Sequence, residues 1–203
     1  MELTLIRHAP TQYSSAGLFM GDLDVPATPQ GLALARELGK RLDNVCFTRI
    51  VCSPLSRAFE SAKMIFPGRE IIKCNALSER ALGAWAGCSK AELRISSPQA
   101  FLSSGFMDPA FTPPNGESLG NLLTRIRSFV SQVESGSDSE HIAAVTHNGV
   151  MRTMRCILEQ RPYSELFAES EPYLLPKTFL YKARTWSRIS LIQLDNLVDG
   201  QTP

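Results

Sequence analysis

The stretch LTLIRH at residues 3–8 is a compact apolar run that ends abruptly in Arg7 and His8. This pattern is typical of a buried strand that delivers polar side chains to the edge of a sheet. Two later stretches repeat it, because the run at residues 50–52 stops at Ser53 and the run at residues 142–145 stops just before His147. Each run leads through a turn to apolar residues at helical spacing, so three strand-turn-helix units are predicted.

The predicted helices are amphipathic. Thr28 can cap a helix whose first position suits Pro29, and apolar residues then recur at helical spacing. Helices are expected at residues 28–42, 58–65, 117–133 and 150–158. A short strand is expected at residues 71–72, and closing strands at residues 178–181 and 189–194 are predicted to flank a hairpin around Thr185 and Trp186.

The alternation of strands and helices predicts an α/β fold, a three-layer sandwich in which helices cover both faces of a largely parallel sheet. One domain over residues 1–203 is expected from the length. Residues 95–116 are rich in Ser, Pro and Phe and carry one charge, Asp108, which indicates an excursion or lid over the sheet.

Composition excludes several classes of protein. With 43% apolar and 20% charged residues and a net charge of +1, nothing points to nucleic acid or an anionic membrane as a partner. The five cysteines are scattered and form no C-x-x-C pair, so buried free thiols in a reducing compartment are expected. The N-terminal apolar run is too short for a signal peptide, and a cytoplasmic protein is predicted.

Three predicted strand ends carry groups suited to phosphate. Ligands of open α/β sheets bind beyond the carboxyl ends of the strands, where Arg7 and His8, Ser53 to Arg57, and His147 are expected. Guanidinium groups pair bidentately with phosphate oxygens, and a neutral imidazole can attack phosphorus. No cluster of metal ligands accompanies these residues, so no metal and no cofactor are predicted.

The same residues lie in a pattern that resembles the histidine phosphatase superfamily, which includes the cofactor-dependent phosphoglycerate mutases. Five blocks match in the order of the family: RHAPT at 7–11, SPLSRA at 53–58, LSE at 77–79 with GAWAG at 83–87, PNGES at 114–118 and THNGVMR at 146–152. The segment GLFMGDLDVP at 17–26 is similar to one shared by small bacterial members, including α-ribazole phosphatases. The resemblance implies a phosphoglycerate mutase-like fold.

The resemblance also implies roles for individual residues. His8 would be the nucleophile that becomes phosphohistidine, and Glu79 would protonate the leaving oxygen and then activate water. Arg7, Arg57 and His147 would bind the phosphoryl oxygens. Ser14 and Asn148 are also expected to bind phosphate, but both differ from the family pattern. Ser14 stands where many members have asparagine, and Asn148 replaces a glycine.

The leading hypothesis is metal-independent hydrolysis of a small phosphorylated metabolite through phosphohistidine. A mutase-type phosphotransferase and a non-catalytic domain that binds a phospholigand remain alternatives, the latter because Ala9 and Pro10 replace the usual glycine and polar residue. The expected partner is the small phosphorylated substrate, with no nucleic acid and no membrane, and a homodimer is left open.

Some nearby residues have simpler interpretations. Trp85 is expected to pack in the core or a loop, while Phe19 and Phe106 could wall a pocket or pack. Arg152 could pair with a carboxylate for structural reasons, and Glu117 could belong to a helix start.

Overall fold

A computed structural model describes residues 1–14 and 16–191. These residues form one sheet of six strands, which are β1 Glu2–Arg7, β2 Arg49–Cys52, β3 Ile72–Lys73, β4 His141–Thr146, β5 Lys177–Lys182 and β6 Thr185–Ile189. The α-helices are α1 Pro29–Arg41, α2 Ser56–Ile65, α3 Lys90–Ser96, α4 Leu119–Glu134 and α5 Asn148–Leu158. No helix among the described residues is long and apolar enough to cross a membrane.

The strand order is β3-β2-β4-β1-β5-β6. The first four strands of this order run parallel, while β5 and β6 are antiparallel to their neighbours. Arg7 pairs with Thr146 and Cys52 with Val145, so the residues that follow these strands leave the sheet at one edge. The predicted α/β fold with a largely parallel sheet is confirmed.

Both faces of the central strands are buried. In β1, Leu3 and Leu5 pack with α4 and α5, whereas Ile6 packs with α1 and α2. The neighbouring strand β4 alternates in the same way, with Ile142 and Ala144 on one face and Ala143 and Val145 on the other. Because neither face meets water, these strands read as continuous apolar runs rather than as alternating ones.

Two helix starts follow from side-chain caps. The Thr28 hydroxyl accepts a hydrogen bond from the Gly31 amide at 3.0 Å, with Pro29 in the first turn, as predicted. The long helix predicted at 117–133 begins at Leu119, because the Ser118 hydroxyl caps it by accepting from the Asn121 amide at 3.1 Å.

The predicted position of the turn in the closing hairpin is wrong. Thr185 and Trp186 lie within β6 rather than in the turn, which is formed by Ala183 and Arg184. Both turn residues have positive φ values, 51° and 62°, a conformation that usually attracts Asn and Gly. The sequence therefore carries no turn signal there, and residues 192–194 of the predicted strand lie outside the described residues.

The cysteine prediction holds only in part. All five cysteines are free, but only Cys52 and Cys156 are buried, while Cys46 is exposed. Cys52 ends β2 and Cys156 belongs to α5, so the sheet and its covering helix enclose these two. Cys46 lies in the loop between α1 and β2, where nothing covers it.

Candidate active site

A cleft of about 330 Å³ lies at the carboxyl edge of the central strands. Its volume is at the small end of the range for small-molecule sites. Of the residues expected to act on phosphate, those that line the cleft are Arg7, His8, Ser14, Arg57, Glu79 and Asn148. His147 lies behind them, with its ring centroid 5.0 Å from that of His8.

His8 is held with one ring nitrogen free. Its Nδ1 lies 2.6 Å from the Ala9 carbonyl oxygen, which can only accept, so Nδ1 carries the proton. The tautomer assigned in this way leaves a lone pair on Nε2. Burial, and then the positive charge of Arg57, hold the pKa of His8 well below its usual value of 6.5. His8 is therefore a neutral imidazole near pH 7, which is the form that can act as a nucleophile.

The Arg57 side chain is completely buried and fixed by three partners. Its terminal nitrogens donate to the carbonyl oxygens of Leu23 at 2.6 Å and Gly21 at 2.7 Å. Its Nε donates to His147 Nδ1 at 3.2 Å. Each terminal nitrogen has a second N–H group that these bonds leave for a ligand.

The bond from Arg57 also sets the tautomer of His147. Because Nδ1 accepts from Arg57, the proton lies on Nε2, which donates to the Ser53 hydroxyl at 2.7 Å. Burial, and then His8, hold the pKa of His147 well below 6.5. His147 is thus neutral, with both ring nitrogens in hydrogen bonds, and it orients Arg57 beside His8. Its expected contact with phosphoryl oxygens stays a prediction.

Arg7 keeps most of its donors free. Its Nη1 donates to the Glu171 carbonyl oxygen at 2.7 Å, while its buried Nε has no hydrogen-bond partner in the described part of the chain. The guanidinium carbon lies 3.5 Å from the centroid of the Tyr173 ring. Stacking on an aromatic ring fixes the guanidinium plane without using its N–H groups. The remaining donors can therefore meet a phosphoryl oxygen.

Tyr173 is a site residue that sequence analysis missed. It belongs to an irregular stretch before β5, and no motif marks it. Its ring stacks on Arg7, and its hydroxyl donates to Ser14 Oγ at 2.9 Å. Ser14 Oγ also accepts from the Thr11 amide at 2.9 Å, so this residue supports Tyr173 in addition to lining the cleft.

Asn148 is the first residue of α5 and faces the cleft. Its Oδ1 is buried and has no hydrogen-bond partner among the described residues. Buried polar atoms are rarely left unpaired, so Oδ1 is open to a donor group of a ligand, whereas a phosphoryl oxygen would have to meet the amide NH2 group. Ligand binding by Ser14 and Asn148 stays a prediction.

The carboxylate of Glu79 lies at the N-terminus of helix α5. Its carboxylate accepts hydrogen bonds from the Gly149 amide at 3.1 Å and from the Arg80 amide at 2.9 Å. A negative charge is stabilised at a helix N-terminus, so the helix helps to hold this side chain. A methyl group on Gly149 would lie 2.6 Å from Glu79 Oε1, which means that only glycine leaves room for the carboxylate.

Gly149→Ala is expected to lower phosphatase activity by about tenfold or more, because the added methyl group displaces the carboxylate of Glu79, which is predicted to transfer the proton. The measurement is kcat for an alkyl phosphate. Gly120→Ala is the matched control, since Gly120 has the equivalent position in α4 and an added methyl group meets nothing closer than Ser118 Oγ at 3.8 Å. Equal activity of the two variants would contradict the account.

Three further residues named in the sequence analysis have the following surroundings. Trp85 packs between Phe101 and Phe111, with ring centroids 5.8 Å and 4.9 Å away, in agreement with the packing prediction. Glu117 pairs with Arg125 at 2.6 Å and does not line the cleft. Arg152, for which a structural carboxylate partner was one interpretation, lines the cleft without an ion pair in the described part of the chain.

Acid is expected to destabilise the fold through the buried histidines. His8 and His147 have folded-state pKa values well below 6.5 because they are buried, whereas the unfolded chain keeps ordinary values. At a pH between the folded-state and unfolded-state pKa values, the unfolded chain binds more protons than the folded chain. The contribution of these histidines to the free energy of unfolding is therefore complete above pH 6.5 and decreases as the pH drops below it. Thermal unfolding between about pH 7 and pH 5 tests this. His8→Ala should show a shallower dependence than the natural chain, and an unchanged slope would count against the burial argument.

Comparisons with known proteins bear on the family and the fold. Residues 3–172 match the family model of the histidine phosphatase superfamily (branch 1). The adenosylcobalamin/alpha-ribazole phosphatase of Salmonella typhimurium is 28% identical over 169 residues, which cover 82% of this chain and 84% of that protein. Phosphoserine phosphatase 1 of Hydrogenobacter thermophilus is 28% identical over 160 residues, covering 78% and 76%. The crystal structure of the alpha-ribazole phosphatase from Shigella flexneri has a TM-score of 0.83 at 24% identity, covers 93% of this chain and 95% of that chain, and supports the fold.

Proposed function

Since the chain belongs to the histidine phosphatase superfamily, we propose that it hydrolyses small phosphomonoesters through a phosphohistidine at His8. The observation that carries the proposal is the free Nε2 lone pair of a buried, neutral His8 in a cleft that it shares with Arg7 and Arg57. Nucleophile and oxyanion ligands are thus held together before the substrate arrives.

The first half-reaction transfers the phosphoryl group to the protein. Arg7 and Arg57 bind the phosphoryl oxygens, and the Nε2 lone pair of His8 attacks phosphorus. The bond between phosphorus and the leaving oxygen breaks as Glu79 gives its proton to that oxygen. The alcohol departs and leaves phosphohistidine beside an ionised Glu79.

The second half-reaction restores the protein. Glu79 takes a proton from water as the water oxygen attacks phosphorus, and the bond between phosphorus and Nε2 breaks. Inorganic phosphate leaves, and His8 is again neutral because Nδ1 never gave up its proton to the Ala9 carbonyl. The charges that metal ions neutralise in other phosphoryl transfer enzymes are met here by guanidinium groups.

Phosphate release is expected to exceed phosphoryl transfer between positions of one substrate. A mutase must retain and reorient its intermediate, whereas a phosphatase must admit water. Incubation with 3-phosphoglycerate and a catalytic amount of 2,3-bisphosphoglycerate, with and without a chelator, measures both products. Release of phosphate at a rate unchanged by the chelator is expected. Rapid formation of 2-phosphoglycerate would favour the mutase. A need for added metal would contradict the claim that guanidinium groups neutralise the phosphoryl charge. Binding of substrate without any turnover would favour the non-catalytic alternative.

The segment at residues 95–116 is proposed to cover the cleft within a single domain over residues 1–203. It contributes Gly105, Phe106, Met107 and Pro109 to the lining of the cleft. Within the lining of the cleft, Phe106 stacks on Phe167, with 4.4 Å between ring centroids. A cytoplasmic location and a homodimer stay predictions.

A further inference from the structure

The side chain of Glu171 is a buried carboxylate that the proposed reaction does not use. Its exposure to solvent is 0%, and it does not line the cleft. Its Oε1 accepts a hydrogen bond from Arg155 Nε at 3.2 Å, and its Oε2 forms an ion pair with Lys177 Nζ at 2.7 Å. Replacing a buried ion pair by apolar side chains of equal volume is often neutral or stabilising, so the value of such a pair can lie in the single arrangement that it specifies.

Arg155 ties both ends of one short segment, residues 165–171, to helix α5. Its side chain has 1% exposure. Its Nη2 donates to the carbonyl oxygens of Glu165 at 3.3 Å and Leu166 at 3.1 Å, while its Nε donates to Glu171. One buried side chain of a helix therefore holds this segment at its start and at its end.

The residues from Glu171 to Leu174 enclose Arg7. The Glu171 carbonyl oxygen accepts from Arg7 Nη1 at 2.7 Å, and the Leu174 amide donates to the Arg7 carbonyl oxygen at 3.0 Å. Between these two contacts, the Tyr173 ring centroid lies 3.5 Å from the guanidinium carbon of Arg7 and 5.5 Å from the centroid of the His8 ring. Anchoring the Glu171 side chain therefore fixes both the carbonyl oxygen and the ring that orient Arg7.

We propose that Glu171 is a positioning residue for phosphate binding, because its buried carboxylate sets the orientation of Arg7 without touching the substrate. The effect passes through Arg7, since the carbonyl oxygen of Glu171 itself accepts from Nη1. Guanidinium groups bind phosphate through directional pairs of hydrogen bonds, so a change in orientation weakens the contact. The inference rests on the proposed function, in which Arg7 binds the phosphoryl oxygens.

A double-mutant cycle on the affinity for inorganic phosphate tests the proposal. Calorimetry gives the Kd of phosphate for the natural chain, Glu171→Gln, Arg7→Gln and the double variant, and this measurement needs no turnover. Glu171→Gln is expected to raise Kd by about tenfold and Arg7→Gln by about 100-fold, the range for hydrogen bonds to charged groups. The double variant should bind as weakly as Arg7→Gln, because Glu171 has nothing to act through once Arg7 is absent.

Independent effects would instead multiply, so a double variant that binds about tenfold more weakly than Arg7→Gln would overturn the proposal. An unchanged Kd in Glu171→Gln, or in Arg7→Gln, would overturn it as well. If Arg7→Gln binds too weakly to measure, the crystal structure of Glu171→Gln decides. An Arg7 guanidinium displaced from the Tyr173 ring supports the proposal, and an unmoved guanidinium refutes it.

Glu169→Gln is the matched control. Glu169 also pairs with Lys177, at 3.4 Å, and with Arg188, at 2.8 Å, but it makes no hydrogen bond with Arg7 in the described part of the chain. The Kd of this variant should stay within about twofold of the natural value, because partly exposed ion pairs contribute little. A loss equal to that of Glu171→Gln would show a general effect of the charges and would count against the proposal.

Folding of each variant is followed by circular dichroism, because removing one partner of a buried ion pair destabilises a protein. If Glu171→Gln does not fold, Glu171→Gln combined with Arg155→Gln removes both charges and takes its place in the cycle, with the same expected values. Failure of the natural chain to hydrolyse p-nitrophenyl phosphate would refute the proposed function, whereas the phosphate cycle still reports on Glu171. Failure of the natural chain to bind phosphate would overturn both.

Discussion

His8→Ala is expected to abolish phosphatase turnover, with a loss of roughly 10⁴-fold or more. The free Nε2 of His8 is the proposed nucleophile, and His147 is not expected to replace it because both of its ring nitrogens are engaged by Arg57 and Ser53. The measurement is kcat for p-nitrophenyl phosphate, with folding followed by circular dichroism.

His141→Gln is the matched histidine control. His141 lies on β4, bonds to the Thr4 hydroxyl at 2.8 Å and does not line the cleft. This variant should retain activity within a small factor. Full turnover by His8→Ala would refute the mechanism.

Glu79→Gln is expected to have an effect that depends on the leaving group. Glutamine keeps the size of the side chain but cannot give up the proton, and loss of a general acid costs about 10² to 10⁴ in rate. An alkyl phosphate, whose alkoxide leaves poorly, should suffer the full loss. p-Nitrophenyl phosphate needs little protonation in the first step, so phosphohistidine should form and then accumulate.

Single-turnover phosphorylation with the two substrates separates these cases. Glu117→Gln is the matched carboxylate control, because Glu117 pairs with Arg125 and does not line the cleft. Its effect should be the same for both leaving groups. Equal impairment of Glu79→Gln on both substrates, or none on either, would remove Glu79 from the acid role.

The strands, and the polar residues that follow their ends, could be predicted because they depend on short sequence patterns. A strand buried on both faces is largely apolar over its buried part, as β4 is at residues 142–145 and β1 is at residues 3–6 apart from Thr4, and its end marks the polar residues that follow. The blocks around Arg7, Arg57 and His147 then lie at neighbouring strand ends, and the structure brings them together.

The walls of the cleft could not be predicted because they depend on contacts between distant parts of the chain. Tyr173 stacks on Arg7 from a segment without regular structure. Arg152 has the spacing of a helix residue that could pair with a carboxylate, and only the fold shows that Phe106 and Phe167 contact it instead. The turn at Ala183 likewise depends on the pairing of β5 with β6, since its own residues give no signal.

Trapping the intermediate tests the central claim most directly. The protein is mixed with p-nitrophenyl phosphate, quenched under alkaline conditions that preserve phosphohistidine, digested and mapped by mass spectrometry. The account predicts a phosphoryl group on His8 that is labile in acid, absent from His8→Ala and more abundant in Glu79→Gln. Turnover of the natural chain with no phosphoryl group on His8, or with the group on another residue, would contradict it.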